Sequence, residues 1–172
     1  MTKSFIKQLK KVFFERTNSW QKEVNIFYLA ENGKILDSSH TGVIENKFNI
    51  FLHPPRSYLF RILELAPFPF VQFPLNIQRK WKFNLEIDDS WSDPNWKEWR
   101  GNIDNQSLYT CEKKELLETE FGTLSCSVII SDSNNEAGDS SLVAYYNMDY
   151  GFVMLKYHTI DNSNLILKRV KK

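Results

Sequence analysis

The chain has only two cysteines in 172 residues. That excludes the disulfide-dense scaffolds of small secreted domains. Cys111 and Cys126 are expected to be two small buried hydrophobes; pairing across adjacent strands is the alternative. Six glycines and six prolines exclude collagen-like and low-complexity classes. No apolar run approaches the ~20 residues that a membrane-spanning helix needs. The longest in the N-terminal stretch is Val12–Phe14, so the sequence as written predicts no secretory signal and a cytoplasmic location. A mature envelope protein without its leader would read the same way.

Net charge is also scarce: 22 basic against 21 acidic side chains give +1. The balance hides an asymmetry. Lys3, Lys7, Lys10, Lys11 and Arg16 stand against Glu15 alone, and Lys168, Arg169, Lys171 and Lys172 close the chain, while residues 17–167 carry 13 basic and 20 acidic side chains. An acidic body with basic ends lacks the continuous basic face that duplex binding requires, so nucleic acid is not an expected partner. Phosphate-loop, dinucleotide and nucleophile-elbow patterns are absent. His40, His53 and His158 are isolated and the cysteines have no paired spacing, so neither metal nor cofactor is expected. No catalytic residue is assigned.

Aromatics are abundant: 13 Phe, 7 Tyr and 5 Trp. Such a load argues for a packed core, and the length suits one domain over residues 1–172. In residues 1–20, Phe5, Ile6, Leu9, Val12 and Phe13 fall on one face with lysines opposite, which predicts an amphipathic helix over 3–16. That helix would pack on the body or, alternatively, make peripheral membrane contact.

Residues 23–172 read as an antiparallel β body. Val24–Ala30 and a strand starting at Ile35 flank the hairpin signal Asn32-Gly33. Lys47–Leu52 is a further strand. The prolines of 53–57 and 66–74 exclude a central strand there. Between them, Ser57–Leu65 reads as either a short strand or a helical turn. Trp81, Phe83, Leu85 and Ile87 alternate with Lys82, Asn84 and Glu86, which predicts a half-buried strand. Trp96–Ile103 is predicted as another. Strands over 107–118, 122–131, 141–147, 151–159 and 165–170 follow, with turns around Glu120–Gly122, Asp132–Gly138, Met148–Gly151 and Asp161–Asn164. In the second, Leu124, Cys126, Val128 and Ile130 share a face. The fold class is therefore mainly β (α+β): a curved antiparallel sheet or half-barrel with an N-terminal amphipathic helix.

The segments 119–129, 145–155 and 161–167, with His53-Pro-Pro-Arg56, Pro67-Phe-Pro-Phe70, Pro74-Leu75 and Trp81, resemble uncharacterised cell-envelope proteins of the Bacteroidetes type. The resemblance covers roughly residues 45–170. It implies a sheet similar to the curved half-barrel of the lipoprotein carriers LolA and LolB, and no reaction.

Three side-chain groups are candidates for function. Phe68, Phe70, Phe73, Trp81, Trp91, Trp96 and Trp99 concentrate aromatic surface and would line a cleft for a hydrophobic small molecule or lipid. This non-enzymatic binding reading leads. An aromatic patch meeting another polypeptide is the alternative. His53 and Arg56 form a possible anion contact, against a loop-fixing hydrogen bond. Asp88, Asp89, Asp93 and Glu98 would supply a hydrolase with paired carboxylates, against ordinary turn chemistry. Asn105-Gln-Ser107 is a formal glycosylation acceptor.

Overall fold

The computed structural model describes residues 22–29 and 34–171. The predicted helix over 3–16 and the Asn32-Gly33 turn lie outside the described residues.

Ten strands form two antiparallel sheets: β1 (Lys22–Leu29), β2 (Ile35–Glu45), β3 (Asn49–Leu52) and β4 (Phe70–Gln72) in one, and β5 (Lys80–Ile87), β6 (Ile103–Thr119), β7 (Gly122–Asn135), β8 (Gly138–Asn147), β9 (Gly151–His158) and β10 (Asn164–Lys168) in the other. Strand neighbours follow chain order in both, and among the described residues neither sheet closes into a barrel. The mainly β expectation therefore holds. β1 and β2 pair antiparallel, as the hairpin signal predicts.

Each tight connection has a visible cause. Asn46 Oδ1 accepts from the amides of Phe48 and Asn49 between β2 and β3. Gly122, at φ +101°, follows the two-residue turn of β6–β7. Asn147 Oδ1 accepts from the amides of Asp149 and Tyr150 at the β8–β9 tip. The polar loop predicted over Asp132–Gly138 shrinks to Glu136–Ala137, because the cross-strand pairs continue to Asn135↔Gly138.

The proline-punctuated stretch explains the core. Tyr58–Leu65 is a 3-10 helix, which decides between the two readings of that segment. β4 is an edge strand, consistent with the prolines around it. Residues 62–71 are buried throughout. They cross the inner face of the six-stranded sheet, where Phe60, Leu63, Ala66, Phe70 and Val71 pack against Trp81, Tyr109, Ile129, Leu142, Leu155 and Tyr157. The inner face carries small polar side chains where the segment passes, including Ser107, Ser131, Ser133 and Ser140, all buried. Tyr109 Oη donates to the carbonyl of Phe68 at 2.9 Å, and Ser140 Oγ to that of Leu65 at 3.0 Å. The sheet thus supplies hydrogen bonds to a segment that prolines exclude from regular pairing.

One sequence expectation is corrected. Trp96–Ile103 is not a strand; it continues a compact loop in which Asp93 accepts from the Asn95 amide and Gly101 sits at φ +71°. β6 begins only at Ile103. Leu124, Cys126 and Val128 do share a face, the outer one: these residues form a satellite cluster with Tyr145, Val153 and Met154, while Ile129 joins the main core. Both faces of β7 carry apolar residues, so alternation alone does not say which is inward. Cys111 belongs to the main core and Cys126 to the satellite cluster, so their side chains stand on opposite faces of the sheet, and both thiols are free and buried.

Candidate functional site

The seven aromatics singled out in the sequence separate into two groups. Phe68, Phe70 and Trp81 are buried, at 2%, 8% and 5% exposure. Their rings pack against one another's neighbours: Phe51 lies 5.7 Å from Phe68 and 5.8 Å from Phe70, Phe70 meets Tyr109 edge-on at 5.8 Å, and Trp81 stacks on Tyr109. Phe73 is half-buried at the rim, edge-on to Tyr146 at 6.0 Å.

Trp91, Trp96 and Trp99 belong to the second group. They are half-buried and cover a separate small core of Leu65, Ile87 and Ile103 at one end of the sheet. The loop that carries them is built on its own carboxylates. Asp88 Oδ1 accepts from the Ser90 amide at 2.8 Å, capping the 3-10 turn Asp89–Trp91. Hydrogen bonds from Ser90 hold the Asp88 carboxyl below its ordinary pKa. Asp89 Oδ2 accepts from the Gly101 amide, and Asp93 Oδ1 from the amide and side chain of Asn95. These three carboxylates hold turns. Glu98 is exposed. Trp96 Nε1 donates to the Trp91 carbonyl at 3.3 Å, and the Trp99 amide to Ser92 Oγ at 3.0 Å. The loop thus holds Trp96 through its indole and Trp99 through its backbone.

His53 and Arg56 meet an anion that the sequence reading did not name: Glu64. This carboxylate sits on the 3-10 helix Tyr58–Leu65 with its side chain 8% exposed, 3.5 Å from His53 Nε2 and 3.6 Å from Arg56 Nε. Arg56 Nε also donates to His53 Nδ1 at 3.0 Å. The contact fastens the loop after β3 onto the helix. One sequence signal for Glu64 exists: it is the only acid in the apolar run from Tyr58 to Phe70, and a buried acid needs a partner.

The two groups join at Trp91. The Arg56 and Arg61 guanidiniums stand over its ring at 5.9 and 5.4 Å, and Arg61 donates to the Ser90 carbonyl. Indole faces attract cations through the ring quadrupole. The result is a half-buried tryptophan flanked by two guanidiniums, of which Arg56 is half exposed. Other candidates lie elsewhere. His158 is exposed beside Asn164. Asn105 is buried at 2% and accepts from Ser133 and Asn135, so its amide is engaged as a structural group. Among the described residues no group of His, Cys, Asp or Glu is arranged to hold a metal ion.

No protein-family model and no curated protein matches the chain. Two solved structures are similar. One is described as a "putative lipoprotein" from Parabacteroides distasonis, with 16% identity, a TM-score of 0.51, and coverage of 92% of this chain and 81% of the other. The second is described as a "putative exported protein" with a YmcC-like fold, from Bacteroides fragilis, with 14% identity, a TM-score of 0.44, and coverage of 96% and 86%. The first shows a shared fold over most of both chains.

Proposed function

We propose that the chain is a non-enzymatic binding module of the cell envelope that meets another polypeptide through the tryptophan loop at Trp91. The observation that carries this reading is the half-buried Trp91 ring under the Arg56 and Arg61 guanidiniums. Tryptophan and arginine are the side chains most enriched at the energetic centres of protein interfaces. The envelope location draws its support from the fold shared with a protein described as a lipoprotein. It departs from the cytoplasmic expectation raised by the N-terminal residues.

The test is a photo-reactive residue placed at Asn95, which is exposed on the same loop, in cells that make the protein natively. The expected result is a crosslink to one polypeptide, lost with Trp91→Ala or Arg61→Ala, and absent when the probe sits at Lys82 on the outer face of β5. Equal crosslinking from both positions contradicts the reading.

The apolar-ligand reading keeps one observation in its favour. Phe73, Phe152, Leu165 and Leu167 pack on the main core yet remain half-buried along its rim. A lipid or other hydrophobic small molecule would be held there, where apolar side chains remain accessible.

A further inference from the structure

The end of the six-stranded sheet opposite the tryptophan loop carries an exposed surface of its own. The pairing of β7 with β8 stops at Ser127↔Tyr146, whereas β6 and β7 run on together from Glu115↔Cys126 to Thr119↔Gly122. The result is a two-stranded arm that projects beyond its neighbour. Leu116 and Leu117 are successive residues on it, so their side chains leave opposite faces. Leu116 is 70% exposed, and Leu117 is half-buried with Leu124 on the outer face. The β8–β9 tip stands beside the arm. Asn147 Nδ2 donates to the Ser125 carbonyl at 3.0 Å, and the Phe121 and Tyr150 rings meet at 4.9 Å. Met148, at that tip, is also 70% exposed.

Cations stand over these rings. The Arg169 guanidinium lies 5.5 Å from the Phe121 centroid and 5.9 Å from that of Tyr150, and the Lys171 ammonium lies 5.9 Å from Phe121. Arg169 also donates to the Tyr150 carbonyl, and the Lys171 amide to Glu120 Oε2 at 2.8 Å. These bonds hold the basic C-terminal stretch against the arm. Of the acids at this end, Glu118 accepts from Thr123 Oγ1 and Glu120 from Lys171, while Asp149 faces solvent. Lys168, Arg169 and Lys171 are all exposed, and residues 168–172 hold four basic side chains and no acid.

We propose that this end is a contact site for the surface of an anionic bilayer, into which the arm and the β8–β9 tip dip Leu116, Phe121, Met148 and Tyr150. Exposed aliphatics, rings with one polar end, and flanking Lys and Arg are the side chains that settle at the headgroup level. A flat protein surface covers one face of an arm, but apolar side chains leave both faces of this one, and a lipid interface surrounds it. The contact is with the surface and encloses no single lipid. β6 runs 17 residues from the tryptophan-loop end to this one, so the membrane contact leaves Trp91 free.

The test uses the full chain with an environment-sensitive fluorophore on Met148→Cys, and separately on Glu136→Cys in the β7–β8 turn at the opposite end. Cys111 and Cys126 are buried and do not compete for the label. The probes are vesicles of phosphatidylethanolamine with phosphatidylglycerol, and vesicles of phosphatidylcholine alone. The expected result is a blue shift at position 148 and none at 136, seen with the anionic vesicles and weakened by salt. Leu116→Asn changes an exposed position, so the fold survives. In co-sedimentation it is expected to weaken binding about tenfold. Arg169→Gln and Lys171→Gln are expected to weaken it about fivefold each. No vesicle binding, equal binding to phosphatidylcholine alone, or binding unmoved by Leu116→Asn overturns the proposal. Binding that leaves the label at 148 in water also overturns it, and assigns the contact to another part of the chain. A blue shift that grows with protein concentration in the absence of vesicles overturns it in favour of a second copy covering the tip.

Discussion

Trp81 lies flat against Tyr109, their ring planes 7° apart and their centroids 5.7 Å distant. The two residues are direct cross-strand partners on β5 and β6. Stacking of this kind adds about 0.5–1.5 kcal/mol to the burial of the rings. Trp81→Ala is therefore expected to destabilise the fold by about 3–5 kcal/mol, the usual range for removing a core aromatic. Chemical denaturation measures it. A loss below about 1 kcal/mol would mean that the ring faces open space.

Tyr109 also fastens the crossing segment through its hydroxyl. Tyr109→Phe leaves the Phe68 carbonyl buried without its donor. A loss of about 1–3 kcal/mol is expected, with the rings unmoved, and the same denaturation measurement checks it.

The two buried tyrosines set the alkaline limit. Burial pushes both hydroxyls above the ordinary 10.0. The folded state then keeps protons that the unfolded state releases, so stability is intact below pH 10 and falls as pH rises above it. Two tyrosines are expected to ionise only together with loss of structure, in a titration that follows tyrosinate absorbance and circular dichroism side by side. Ionisation of all tyrosines before any structural change would contradict this.

The acid limit involves Asp161. Partial burial raises its carboxyl, but hydrogen bonds from Thr159 and Ser163 outweigh that, and its pKa stands below the ordinary 3.8. The unfolded carboxyl takes up a proton first as pH falls. The contribution is therefore present above that ordinary value and lost as pH drops through the folded one. Asp161→Asn is expected to flatten the acid side of the stability profile, as followed by thermal unfolding across pH.

The main fold was legible wherever one face of a strand is wet. β5 alternates cleanly because Lys82, Asn84 and Glu86 face solvent, and turn chemistry marked the β6–β7 and β8–β9 tips. Legibility failed where both faces are covered, as at Cys126 to Ile129 of β7, and where tryptophans imitate a strand, as at Trp96–Trp99. Glu64 was missed because its partners lie eight and eleven residues upstream, and only the 3-10 helix brings them together. The Trp91 site was half legible: the tryptophans stood out, whereas the arginines that cover one of them, Arg56 and Arg61, come from within the proline-punctuated stretch some thirty residues upstream.

The most direct test is native mass spectrometry of the protein purified from cells that make it. The account predicts a partner polypeptide bound in a complex that Trp91→Ala dissolves, and no lipid-sized adduct held non-covalently. A lipid-sized adduct that survives Trp91→Ala and departs only on denaturation would contradict it.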